Sequence, residues 1–207
     1  MFLPIVFCVL IYGILYIVAK PMIDPLANFF AINYGNKAVE ETNNLYTGLP
    51  EKLKTAKSVN LDELGGMPKL GDKYGTLKIS ETIVNCDLYY GDTEQELYNG
   101  AGTYAGGKIP GDGGTIMLAG HTGTFFGDFK SAKLGAKVSI DTYYGSYEYE
   151  ITDMKVVNHK DSSAYDLEAT TENLILYTCY PFNQISATPL RYFIYCKLIS
   201  GPTIVHS

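Results

Sequence analysis

The sequence predicts an all-β domain, a mostly antiparallel closed β-barrel with short helices in its connections, and three observations carry that reading. Apolar runs of strand length recur at 76–79, 83–89, 115–119, 137–144, 147–157, 173–177 and 191–199, separated by Gly, Asp, Asn and Ser turns. Tyrosine is abundant, at 18 residues, while tryptophan is absent, a composition suited to strands that carry amphipathic rings. Helix signals, by contrast, are few and short.

In chain order, residues 2–19 form an uncharged apolar stretch. As a helix rising about 1.5 Å per residue, it is just long enough to cross a hydrocarbon core. A cleaved signal peptide is the rival reading, but a basic leading region and a small-residue cleavage site are both missing, so residues 1–20 are read as a transmembrane anchor. Asp24-Pro25 makes a juxtamembrane turn, and 26–45 allows a helix broken near Gly35. A polar linker follows over 47–71, with Gly65, Gly66 and Pro68 as breakers. The juxtamembrane helix and linker together occupy 21–72, the barrel 73–200, and a short tail 201–207. Within the barrel, Thr93-Glu94-Gln95-Glu96 has the form of a capping box and its helix stops at Gly100. The segments 125–134 and 162–167 allow one or two helical turns each.

The formal net charge of −6, with no concentrated run of Lys and Arg, excludes a general nucleic-acid partner. Cys8, Cys86, Cys179 and Cys196 form no C-x-x-C pair and the three histidines are dispersed, so no zinc site is expected. No loop has the carboxylate density of an EF-hand, and no cofactor or metal is assigned. Cys86 and Cys196 could pair as a disulfide outside the cell, but sequence does not show their α-carbons close enough, and two buried free thiols are expected instead. The glycines between Gly102 and Gly114 lack the phosphate-binding loop pattern and read as a loop bordering a groove.

Chemistry concentrates on Cys179. It ends the apolar run 173–178, precedes Tyr180-Pro181-Phe182, and is followed by Arg191 at the start of the next run. A thiol at the end of a buried strand is fixed from below and open above, and a guanidinium nearby can stabilise developing negative charge. His121 follows the strand-like run 114–120 and so also sits at a strand end, where an imidazole can serve as acid and base. Thr178 is a candidate for positioning the nucleophile or the substrate, and the Tyr180 backbone N–H a candidate oxyanion donor. His159 and His206 lie in a polar turn and in the tail, where surface roles suffice. Papain-like proteolysis is excluded by chain order, because that class places its histidine after its cysteine.

These segments resemble the sortases, cysteine transpeptidases that attach proteins to the surface of Gram-positive bacteria. Leu118-Ala119-Gly120-His121 is similar to that family's histidine strand, Leu176-Tyr177-Thr178-Cys179 to its Thr-Leu-x-Thr-Cys motif, and Leu190-Arg191-Tyr192-Phe193 to its arginine strand. Two positions depart from the pattern: Ile175 replaces the motif's first Thr, and Thr122 follows the histidine where Arg or Asn is common. The resemblance implies an eight-stranded barrel, a catalytic trio of His121, Cys179 and Arg191, and a catalytic domain outside the cell. It further implies cleavage of an LPxTG-like sorting signal between Thr and Gly through a thioester on Cys179. The acceptor would be a peptidoglycan amine. Cys-Tyr-Pro-Phe, the modest linker and the lack of a lid favour class D. The alternatives are a pilin-polymerising sortase and a non-catalytic membrane-tethered barrel that binds cell wall.

Overall fold

The structure is a computed structural model, and it describes residues 44–182 and 188–205. The apolar stretch 2–19 and nearly all of 26–45 lie outside the described residues. Among the described residues no helix is long and apolar enough to cross a membrane.

Eight strands close a barrel: β2 (Lys73–Ile79), β3 (Asn85–Tyr90), β4 (Gly100–Thr103), β5 (Thr115–Ala119), β6 (Lys137–Thr142), β7 (Ser146–Asn158), β8 (Asn173–Tyr180) and β9 (Leu190–Ser200). Their order around the barrel is β2-β3-β4-β5-β8-β9-β7-β6. The expected closed eight-stranded sheet is present, but its pairing is mixed rather than mostly antiparallel. β3 runs parallel to β4, and β5 parallel to β8. Two connections cause this. The helix α1 (Glu94–Asn99) carries the chain from the end of β3 back to its start, so β4 must run in the same direction. The β6–β7 hairpin then takes the positions between β2 and β9, which leaves β8 to join β5 after a long crossover.

α1 starts and ends where its sequence signals lie. The Thr93 backbone N–H donates to Glu96 Oε2 at 2.9 Å, the reciprocal half of the capping box, and Gly100 is the C-cap. β4 itself, Gly-Ala-Gly-Thr, lacks the bulky alternation that marks a strand in sequence. Gly102 shows why its residues are small: a Cβ there would lie 2.3 Å from the Gly91 carbonyl oxygen and 2.9 Å from a Leu97 methyl. Only glycine lets α1 and its leading loop lie this close to β4.

Strand parity sorts the barrel's side chains into two layers. Ile116, Leu118, Leu174, Leu176 and Ile194 point inward to the main core, while Met117, Ile175 and Phe193 form a second cluster on the outer face. The stretch 159–172 is tied over that outer face. Its Ala164 carbonyl accepts from the Tyr195 hydroxyl at 2.9 Å, its Tyr165 ring lies 6.5 Å from that of Phe193, and its Asp166 carbonyl accepts from the Thr115 hydroxyl. Being covered on both sides makes β5 buried at every position.

Tyrosine fills more of the interior than amphipathic rings at a rim would require. Tyr74, Tyr144, Tyr147 and Tyr149 are fully buried; Tyr74 shares a 2.7 Å hydrogen bond with Thr103, and Tyr149 donates to Glu172 at 2.6 Å. Two further short strands lie beside the barrel. β1 (Ser58–Val59), within the stretch read as linker, pairs parallel with β10 (Thr203–Ile204), within the stretch read as tail, and Val59, Leu61 and Ile204 are buried in the core.

Candidate active site

The parallel pairing of β5 and β8 brings the two strand ends picked out by sequence to the same end of the barrel. Their register runs from Thr115 opposite Asn173 to Ala119 opposite Tyr177. Gly120 extends it, its N–H donating to the Tyr177 carbonyl at 3.2 Å. Carried two residues beyond the ladder, this register sets His121 level with Cys179. On the other side of β8, antiparallel β9 places Arg191 directly opposite Cys179. Adjacent strands lie about 4.8 Å apart, so Arg191 and Cys179 sit side by side, and the register extended past the end of β5 puts His121 on the cysteine's other side, a row with the cysteine in the middle.

Cys179 and Arg191 lie on the outer face, Cys179 sharing parity with Ile175 and Tyr177 and Arg191 with Phe193, residues that belong to or pack against the outer cluster. Cys179 is half-buried, whereas Cys86 and Cys196 are buried and unpaired, and burial pushes each of those two thiols up to about 12. Of the three described thiols, Cys179 is thus the one solvent reaches. Beside the row, Tyr104, Met117, Tyr177, Phe193 and Arg191 line a concave pocket of about 170 Å³, closed from the loop side by His159, Tyr165 and Leu167. Its size suits one or two side chains of an extended peptide.

Several contacts fix the histidine's backbone. The Thr124 and Phe126 N–H groups both donate to the His121 carbonyl, at 3.3 and 3.1 Å, folding the chain back immediately after it. The buried Phe126 ring packs over Gly120, where a Cβ would lie 2.5 Å from it, so only glycine fits between the strand end and that ring. Thr178 turns into the barrel, 2 % exposed, and its hydroxyl donates to the Gly120 carbonyl at 2.6 Å. That side chain fastens the cysteine strand to the histidine strand and does not face the pocket. Tyr180 stacks on Tyr192 with ring centroids 6.2 Å apart and meets Phe182 edge-on at 5.6 Å, an aromatic brace just beyond the cysteine.

Arg191 Nη1 donates to the carbonyls of Thr188 at 2.7 Å and Leu190 at 2.9 Å, which orients the guanidinium fork with one nitrogen and leaves the rest of it toward the pocket it lines. Two acidic residues escaped the sequence reading. Glu94, in the first turn of α1, places Oε2 3.3 Å from His121 Nε2. Asp92 hydrogen-bonds Tyr177, whose hydroxyl is pushed well up, first by burial and then by that carboxylate. The capping box marked the start of α1 but gave no sign that this start lies over the histidine. Among the described residues no group of three or more His, Cys, Asp or Glu could hold a metal ion.

A half-exposed thiol with a guanidinium opposite it on the next strand, and an imidazole just past the end of the strand on its other side, is an arrangement that can support acyl transfer. Comparison with known proteins agrees. The sortase domain model matches residues 77–199. Sortase D of Bacillus subtilis (strain 168) is 33% identical over 133 residues, covering 64% of this chain and 67% of that protein. Among solved structures, a Clostridium perfringens sortase D5 transpeptidase has a TM-score of 0.57 at 24% identity, over 64% of this chain and 82% of that one. The catalytic domain of B. anthracis SrtD has a TM-score of 0.55 at 28% identity, over 65% and 92%. On the family model and the sortase D relative together, this chain belongs to the sortase family of cysteine transpeptidases.

Proposed function

We propose that this protein is a membrane-anchored class D sortase. It cleaves an LPxTG-like sorting signal between Thr and Gly and transfers the upstream protein to a peptidoglycan amine at the outer face of the cell membrane. The observation that carries the reading is Arg191 directly opposite Cys179 on β9, with His121 two residues past the end of the β5 ladder that flanks β8 on its other side. The Cys179 thiolate attacks the scissile carbonyl, and the oxyanion that forms is held by the Arg191 fork and by the Tyr180 backbone N–H. His121 protonates the leaving amine, and the carbonyl reforms as a thioester on Cys179. The acceptor amine then attacks that thioester, gives its proton to His121 and displaces the thiolate. The aromatic pocket beside Arg191 takes the apolar residues of the signal upstream of the cleaved bond. The similarity to two class D sortases supports the subclass, and the apolar stretch 2–19 supports the anchor.

The test is incubation of the full chain, purified in mild detergent, with a library of LPxTG-type peptides, followed by mass spectrometry of Cys179. A thioester adduct in the wild type and none in Cys179→Ala is the expected result. Resolution by a stem-peptide amine in preference to a pilin lysine separates cell-wall anchoring from pilin polymerisation. Absence of any adduct from a folded protein would refute the proposal in favour of a non-catalytic binding barrel.

A further inference from the structure

Glu94 is the one side chain paired with His121 among the described residues, and it reaches the imidazole from outside the three-strand row. Its support is firm although its own side chain is 80 % exposed. The helix that bears it is capped through Thr93 and Glu96, and Gly102 admits that helix against β4. The residues just before it are tied down as well. Gly91 N–H donates to the Thr103 carbonyl at 3.0 Å, Asp92 accepts from the Ala105 N–H at 3.3 Å, and the Asp92 carboxylate also engages Tyr177, two residues before the cysteine. One short segment, 91–94, thus holds both the nucleophile's strand and the ring of the base.

We propose that Glu94 is a positioning residue for His121, its carboxylate accepting the Nε2–H so that the ring is held in one orientation and one tautomer. With Nε2 committed to Glu94, Nδ1 is the nitrogen that exchanges a proton with the amines entering and leaving the acyl-enzyme. A carboxylate oriented this way does not touch substrate. It acts through the imidazole, lowering the cost of bringing the ring into line in each half-reaction. The catalytic part of this inference rests on the transpeptidase reading, while the orientation of the ring does not.

The experiment therefore has two readouts on the full chain, comparing wild type with Glu94→Gln, Glu94→Ala and Glu94→Asp. Nitrogen-15 NMR of histidine-labelled protein, with the His121 signal assigned by its loss in His121→Gln, should show the Nε2–H tautomer in the wild type and in Glu94→Asp. Glu94→Ala should show a mixture. Steady-state transpeptidation of a sorting peptide should show kcat reduced about tenfold in Glu94→Ala with KM within about twofold, and largely restored in Glu94→Asp. An unchanged tautomer in Glu94→Ala overturns the proposal, and so does a changed tautomer with kcat within twofold of wild type. If no sorting peptide is turned over even by the wild type, the transpeptidase reading fails and the tautomer alone decides the role of Glu94.

Discussion

Strands β5 and β8 are joined at both ends, and the two joints are built from opposite materials. At the far end, where both strands begin, the Glu172 carboxylate accepts from the N–H of Gly111 at 3.1 and 3.2 Å, from that of Gly113 at 3.2 Å, and from the Tyr149 hydroxyl at 2.6 Å. Asn173 adds a 2.9 Å backbone bond to the Gly114 carbonyl and a side-chain bond to Thr115 at 3.0 Å. At the site end the joint is one hydroxyl and one amide, Thr178 to Gly120 and Gly120 to Tyr177. Beyond it the strands carry His121 and Cys179 with no further ladder. The many-bonded end fixes register, and the lightly bonded end leaves His121 and Cys179 held by few contacts between their strands. Spacing at the site is thus set locally by the Thr178 hydroxyl, while the opposite end of the same strand pair carries stability.

The largest expected effect belongs to the site end. Arg191→Lys should lower kcat/KM by roughly 10²- to 10³-fold, the range seen for removal of one oxyanion donor. An ammonium cannot both satisfy the Thr188 and Leu190 carbonyls and present a second planar donor edge. Unfolding measured in urea should be nearly unchanged. A loss of stability comparable to the loss of activity would mean that the arginine is chiefly a loop fastener.

Glu172→Gln tests the far end and should show the reverse pattern. An amide retains the shape but loses the charge and one acceptor oxygen facing three donors, so about 2 kcal/mol of stability should go, in the range for hydrogen bonds to charged groups. Below the melting transition kcat/KM should stay within about twofold of wild type. Thr178→Val comes next, at about 1 kcal/mol, because it removes one buried hydrogen bond while keeping the side chain's shape. Unlike Glu172→Gln it should also lower kcat severalfold, since the bond it removes sets the spacing of the histidine and cysteine strands. If the two variants proved alike in both assays, the two joints would not differ in role.

How much of this could be read in the chain follows from the range of the forces involved. Cys179, His121 and Arg191 each end or begin an apolar run, a local signal, and α1 declared itself through a capping box confined to four residues. β4 did not, because Gly100 and Gly102 are there to admit Asp87's carbonyl and the helix α1, and a strand selected for closeness has no apolar alternation. Parallel pairing was invisible for a related reason: strand direction is set by connections, and nothing in β5 or β8 alone states who its neighbour is. Glu94 and Glu172 look like surface carboxylates in sequence. Their partners, His121 and the amides of Gly111 and Gly113, are distant in the chain and come near only after the barrel closes.

The smallest effect at neutral pH concerns Cys86 and Cys196, which lie on β3 and β9, strands that do not touch in the barrel order. Peptide-resolved alkylation of the full chain at pH 8 should modify Cys179 and leave these two intact. With burial pushing their thiols up to about 12, only about 10⁻⁴ of each is thiolate at that pH, even before access is considered. The same shift has a sign in stability. The folded state holds these protons more tightly than the unfolded one, so the stabilisation is complete below the ordinary thiol range and is lost as pH climbs from about 9 toward 12. The buried Tyr74, Tyr144, Tyr147 and Tyr149, all shifted upward chiefly by desolvation, act in the same direction from about pH 10. The urea midpoint should therefore begin to fall above pH 9 and fall more steeply above pH 10, and replacing both cysteines by alanine should remove the first part of that decline while leaving the second. A midpoint indifferent to pH between 8 and 11 would mean that the barrel interior admits water to these groups, and that Cys179 is not set apart from the other two thiols by burial.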